Sequence, residues 1–105
     1  MVLYIQMLRF QWNKAKNEAN RAKHGIDFDT AQLVFNDPLC VTFVERLSDG
    51  EERWHAIGSI QDVIVLVVVH TYWQEGSEEV IRIISARRAT GRERKLYAQA
   101  ITEET

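Results

Sequence analysis

The sequence predicts an α+β fold, a mainly antiparallel sheet with helices packed on it, in the order β-α-α-β-β-β-β-α. Four β-branched and aromatic runs follow one another between Leu39 and Ala86, with only short turn-type segments between them, which is the pattern of an antiparallel meander. Two helix-punctuated stretches precede this meander and one follows it. With 105 residues, 46% apolar and 27% charged, the chain has material for one core and not for two, so residues 1–105 are expected to form a single domain.

Val2 to Trp12 is rich in β-branched and aromatic residues, and its second half, Leu8 to Trp12, reads as the first strand. Met7 could be an alternative start, which would make residues 1–7 an N-terminal extension. Asn13 to His24 is a helix, because Asn13 carries an N-cap side chain and Gly25 can adopt the positive φ that ends a helix. Ala15, Ala19 and Ala22 fall on one stripe, expected to pack closely against a neighbour. Asn13, Asn17, Asn20 and His24 form a second, polar stripe. It is either a solvated or hydrogen-bonded face, or a functional one in which His24, beside the helix C-terminus, has its protonated form favoured.

Ile26 to Asn36 restarts as a short helix capped by Asp27, with Phe28, Ala31, Val34 and Phe35 inward, and Asp37-Pro38 stops it. LCVTFVER is then a strand, SDGE a tight turn, ERWHAIGSI a strand and Gln61-Asp62 a turn. Alternation in ERWHAIGSI puts Arg53, His55 and Ile57 on one face and Trp54, Ala56 and Gly58 on the other. Val63 to Val69 is an unbroken apolar run that suits a central strand covered on both sides. Gln74 to Glu79 has turn composition, and Val80 to Ala86 resumes the β-branched pattern with Arg82 inside it. Thr90-Gly91-Arg92-Glu93 fits a capping box that opens a final helix to about Ile101, with Leu96, Tyr97, Ala100 and Ile101 inward and a frayed tail after it.

The longest apolar run is far short of the roughly 18 residues of a membrane span. The N-terminus lacks the basic-then-apolar pattern of a signal peptide, so a cytoplasmic location is expected. The lone Cys40 has no internal disulfide partner and is better read as a packed thiol than as a nucleophile. A net charge of −2 argues against bulk electrostatic binding of nucleic acid, but the charge is unevenly spread. Ten of the thirteen basic residues lie in two stretches: Lys14, Lys16, Arg21 and Lys23, and then Arg82, Arg87, Arg88, Arg92, Arg94 and Lys95. Brought together, they would make a basic face for a phosphate-bearing ligand or an acidic partner.

The pieces FQWNKAKN with Asn20, KHGIDFDTA, VFNDPL, EERW with Gly58, VVVHT and RIISARRATGRER, in this order from Phe10 to Tyr97, resemble the BrnT toxins of bacterial type II toxin–antitoxin systems. The resemblance implies a compact ribonuclease similar to the RelE toxins, which inhibits translation and growth. It also implies a BrnA-like antitoxin with a ribbon-helix-helix DNA-binding part, and repression of the shared operon by the complex, with operator DNA contacted only through that complex. Three departures stand out: Asn13 occupies the place of a usual acidic cap, the turn after His70 reads as long, and the first six to eight residues lack a counterpart.

RNA cleavage without a metal needs a base for the 2′-hydroxyl proton, cations around the phosphate and an acid for the leaving 5′-oxygen. Arg82 and Arg87 are the first candidates for the phosphate, and His24, His55 and His70 for the acid and base, with Glu51 or Glu52 more remote. Lys23, Arg53, Arg88, Arg92 and Tyr97 are expected to bind RNA. His70 can equally be a core histidine and Arg82 half of a buried ion pair. Strict alternation separates Arg87 from Arg82 and Arg88, so a break in the strand near Ser85 is expected. No cofactor and no metal are expected, since carboxylate clusters and His-x-His sets are lacking. The rival reading is a non-catalytic binding module whose basic face seats an acidic partner.

Overall fold

The computed structural model describes residues 7–48 and 50–104, with the side chains of 46–48 and 103–104 excepted. Most of the N-terminal extension, the centre of the Ser48 to Glu51 turn and the last residue of the tail lie outside the described residues. The five strands are β1 (Met7–Gln11), β2 (Val41–Ser48), β3 (Glu51–Ile60), β4 (Ile64–Glu75) and β5 (Glu78–Arg88). The helices are α1 (Lys14–His24), α2 (Phe28–Ala31), continued by a 3₁₀ stretch Gln32–Asn36, and α3 (Gly91–Glu104).

The sheet order is β1-β5-β4-β3-β2. Strands β2 to β5 form the expected antiparallel meander, and β1 joins the far edge parallel to β5. The turn between β4 and β5 is tighter than expected, since β4 runs on through His70 to Glu75 and β5 begins at Glu78 around Gly76 (φ 59°). The β3–β4 turn places Gln61 and Asp62 at φ 55° and 56°, a conformation that glycine or asparagine adopts more readily. It leaves Val63 79% exposed, outside the strand expected to contain it.

On one face of the sheet, α2 and the 3₁₀ stretch cover a core of Phe28, Ala31, Val34, Ala56, Leu66, Val68, Ile81 and Ile83. Gly58 lets this layer close, because a Cβ there would meet Val34 Cγ1 at 2.8 Å and Val34 O at 3.1 Å. On the other face, α3 lays Tyr97 against Ile57 and Val67. Leu96, expected inward, is 45% exposed, so the buried stripe of α3 is narrower than its spacing suggested.

The packing of α1 reverses the sequence expectation. Ala15, Ala19 and Ala22 are exposed, and its buried residue is Asn20. Where β1 stops, the backbone edge of β5 would be left without a partner, and the Asn20 amide takes over that role. Its Nδ2 donates to Ala86 O (2.9 Å) and Ile26 O (2.9 Å), and its Oδ1 accepts from Ala86 N–H (3.1 Å). Asn17 accepts from Phe28 N–H and Asn13 caps the helix through Lys16 N–H, so the asparagine stripe is structural along most of its length. Three side-chain amides thus decide where α1 lies.

Candidate functional site

Residue Ile84 determines which arginines share a face. Val69 pairs with Ser85 and His70 with Ile83, so Ile84 is an extra residue in β5 opposite no partner, a β-bulge. Beyond it the alternation is reversed. Arg82, opposite Thr71, and Arg87, opposite Val67, therefore point to the same face as Ser85, the face on which α3 packs. The break expected near Ser85 is present, but it does not unite all three arginines. Arg88, opposite Leu66, turns to the other face and lines a pocket with Ile26, Asp27 and Thr30.

His55 lies on the same face as Arg82 and Arg87. It pairs with Val69, which pairs with Ser85, so His55 and Ser85 stand in one row two strands apart, on the order of 10 Å. Phe43 pairs with His55, so Glu45, two residues on, shares this face at the irregularity between Val44 and Arg46, and its Oε2 lies 2.7 Å from His55 Nε2. The imidazole is 8% exposed and its ring packs against Phe43 at 5.3 Å between centroids. A carboxylate on one nitrogen of a histidine fixes the orientation of the ring.

Arg87 is held from the other side. Its Nη1 and Nη2 donate to Glu93 Oε1 (2.7 Å) and Oε2 (2.9 Å), and Glu93 is itself tied into the expected capping box with Thr90. The hydrogen bonds from Arg87 are the main reason the Glu93 carboxyl is lowered to about 2. Arg87 in turn is raised, chiefly by Glu93, with the charge of Glu45 a smaller contribution. The start of α3 thus clamps the guanidinium fork, whose Nη1 also donates to Arg88 O at 3.4 Å. Arg82 is exposed on the sheet face, which removes the buried-ion-pair alternative.

At the β5 edge a groove of about 480 Å³ runs between α1 and the bulge, lined by Lys16, Lys23 and His24 on one side and by Ser85 and Arg87 on the other. Ser85 and Arg87 belong both to this groove and to the face that carries His55. Arg53 and Thr71 extend that face, flanking the register partners Trp54 and His70. Among the described residues, Arg53 Nε and Thr71 Oγ1 are buried without a hydrogen-bond partner. Arg92 is exposed on the first turn of α3.

Three expected site residues are placed elsewhere. His70 is on the opposite face, 4% exposed, edge-on to Phe35 at 4.9 Å. Burial lowers its pKa to about 4, only partly opposed by the Thr71 backbone and aided by the charge of His55, so the ring is neutral at pH 7. Tyr97 is 8% exposed, and its hydroxyl donates to Asp37 Oδ2 at 2.5 Å, which fastens α3 to the loop after the 3₁₀ stretch. Burial alone would raise the Asp37 carboxyl, but hydrogen bonds from Ser59 N–H, Tyr97 OH and Leu39 N–H hold it low. Arg88 is the third. Glu51 and Glu52 are exposed at the start of β3. Burial, with the charge of Asp37 second, pushes the Cys40 thiol up to about 11, so it is not a thiolate nucleophile at neutral pH.

Sequence reasoning missed Glu45, Lys16 and Ser85. Ser85 depends on a bulge, which strand alternation does not signal, and Glu45 on the register that sets Phe43 beside His55. Lys16 was visible only as one charge among several.

A small α+β protein with a five-stranded mixed sheet, a carboxylate-held histidine and a basic groove has the parts of a protein that handles phosphodiesters. Residues 12–93 match the family described as "Ribonuclease toxin, BrnT, of type II toxin-antitoxin system", and the chain belongs to that family. The crystal structure of the Brucella abortus ribonuclease toxin BrnT is similar, at 33% identity and a TM-score of 0.55, over 81% of this chain and 99% of that one. No curated protein matches the chain.

Proposed function

We propose that the chain is the toxin of a type II pair and cleaves RNA by metal-independent general acid–base catalysis on the face carrying His55, Arg82 and Arg87. The observation that supports this most is the bulge at Ile84, which turns Ser85 and Arg87 to the face that Arg82 shares with the histidine–carboxylate pair. The two arginines hold the scissile phosphate with Lys23 and Lys16 from α1, Arg53 lies beside them, and Arg92 steers the strand. Guanidinium groups suit a phosphate whose charge grows in the transition state. His55 and His24 flank Ser85 and Arg87 from the sheet and the groove. One takes the proton of the 2′-hydroxyl as its oxygen attacks phosphorus, and the other protonates the 5′-oxygen as the P–O5′ bond breaks, leaving a 2′,3′-cyclic phosphate and a 5′-hydroxyl. Among the described residues no group of three His, Cys, Asp or Glu side chains converges as a metal site.

Its partner is a BrnA-like antitoxin with a ribbon-helix-helix part, through which the complex reaches and represses its operator. The cytoplasm is where such a toxin meets RNA. The test is cleavage of an end-labelled RNA in EDTA by the wild type beside Arg82→Ala, His55→Ala and His24→Ala. Cleavage by the wild type that the arginine and at least one histidine variant lose is expected. Cleavage abolished by EDTA and restored by magnesium would refute the mechanism.

A further inference from the structure

Among the described residues, the face of the sheet opposite the candidate RNA groove is only half covered. Beyond α2 and the 3₁₀ stretch it presents Leu8 (42% exposed), Val44 (44%) and Tyr72 (45%), with Trp54 and His70 between them. The register places these on one side: Val44 pairs with Trp54, Trp54 with His70, and Leu8 with Glu79. Among them lies a pocket of about 260 Å³, lined by Leu8, Phe35, Trp54, His70, Tyr72 and Glu79. That is below the roughly 300–1,000 Å³ of small-molecule sites and has room for one large side chain.

Two features mark it as a seat for a ligand. His70 forms part of its wall, buried, yet among the described residues neither ring nitrogen has a partner with hydrogen-bond geometry. A buried imidazole without partners is costly, and an incoming donor or acceptor would relieve it. The pocket is also rimmed by one sign of charge. At this end of the sheet Glu52 and Glu79 share the pocket's face, with no described lysine or arginine side chain beside them on it, while Glu51, Glu75, Glu78, Arg9 and Arg53 turn to the other face. Arg9 is already engaged by Glu75 and Glu78. The basic clusters lie on α1, the second half of β5 and α3. The negative rim repels RNA, and it repels a second copy of the same rim.

We propose that this pocket takes one bulky apolar side chain, flanked by lysine or arginine, from the protein antitoxin. The antitoxin then anchors on the opposite side of the sheet from the RNA groove. The inference rests on the family reading, in which a type II toxin has a protein antitoxin.

The test uses the full chain and its cognate antitoxin, and follows two readouts separately: antitoxin affinity, and RNA cleavage with antitoxin absent. Leu8→Glu and Tyr72→Ala alter exposed positions. Each is expected to weaken antitoxin binding by about tenfold or more, with cleavage unchanged and the wild-type circular dichroism retained. Affinity should also fall with added salt. In the wild type, the ring nitrogens of His70 should shift in NMR when antitoxin is added, a readout that needs no variant. Wild-type affinity in both variants, or an unmoved His70 ring, would overturn the proposal. Loss of cleavage with antitoxin binding intact would also overturn it and make the pocket an RNA subsite. If the wild type does not bind the antitoxin at all, the proposal fails while the cleavage readout still judges the ribonuclease.

Discussion

Replacing Asn20 should be the most damaging single change on α1, although its alanines look like the packing stripe. The side chain makes three hydrogen bonds to backbone groups of Ile26 and Ala86, all in a buried position. At about 1 kcal/mol net per bond, Asn20→Ala should cost about 3 kcal/mol, and more where Ala86 N–H and its carbonyl are left dry. For a domain of this size that corresponds to a fall in Tm of about 12–24 °C. Asn20→Asp sharpens the test. It keeps an acceptor for Ala86 N–H but sets a carboxylate against two carbonyl oxygens, so it should be worse than alanine at pH 7 and recover on acidification as the carboxyl gains a proton to donate. Urea unfolding at pH 7 and pH 4 followed by circular dichroism measures both. A loss under about 1 kcal/mol for Asn20→Ala, or an aspartate variant indifferent to pH, would refute the account of α1 docking.

Glu93 has a depressed pKa of about 2 through its hydrogen bonds with Arg87, so its contribution is complete above the unfolded carboxylate value, near 4.5, and is lost as pH falls through 2. The stability gap between wild type and Glu93→Gln should therefore be widest above pH 5 and close toward pH 2, as urea unfolding across that range will show. His70 has the opposite logic. Its folded pKa of about 4 lies below the unfolded 6.5, the unfolded chain binds the extra proton, and stability should decline as pH falls from 6.5 to 4. His70→Phe should remove that slope and be at least as stable at pH 7, since among the described residues the ring nitrogens it deletes have no partner with hydrogen-bond geometry; equal slopes in the two proteins would count against this. Gly58→Ala forces a Cβ to 2.8 Å from Val34, and overpacking of this kind should cost about 1–3 kcal/mol in thermal or urea unfolding.

Much of the fold was legible in the chain because it is set by local chemistry. Asn13 and Gly25, Asp27, and the Thr90–Glu93 box mark helix ends by hydrogen bonds within a few residues, and all of these caps are present. The meander followed from β-branched runs separated by turn residues. The site was only partly legible. Its residue types stood out, and His55 was placed on the right face by simple alternation, but the grouping of the arginines was not.

What the sequence determined by itself was the order of elements, their caps and the concentration of basic residues in two stretches, since each depends on neighbours along the chain. What only the tertiary structure decided was which of those residues meet. A single unpaired residue in β5 reverses the face of everything after it, moving Arg87 toward His55 and Arg88 away, and the pairing of Phe43 with His55 sets Glu45 beside the histidine. Asn20 became a core residue because the edge of β5 needed partners once β1 ended, a demand that exists only when strands far apart in sequence are laid side by side. His70 likewise sits in a run that reads as uniform, and only the packing of Phe35 and the opposite strand sets it behind the sheet, away from the arginines it was expected to join.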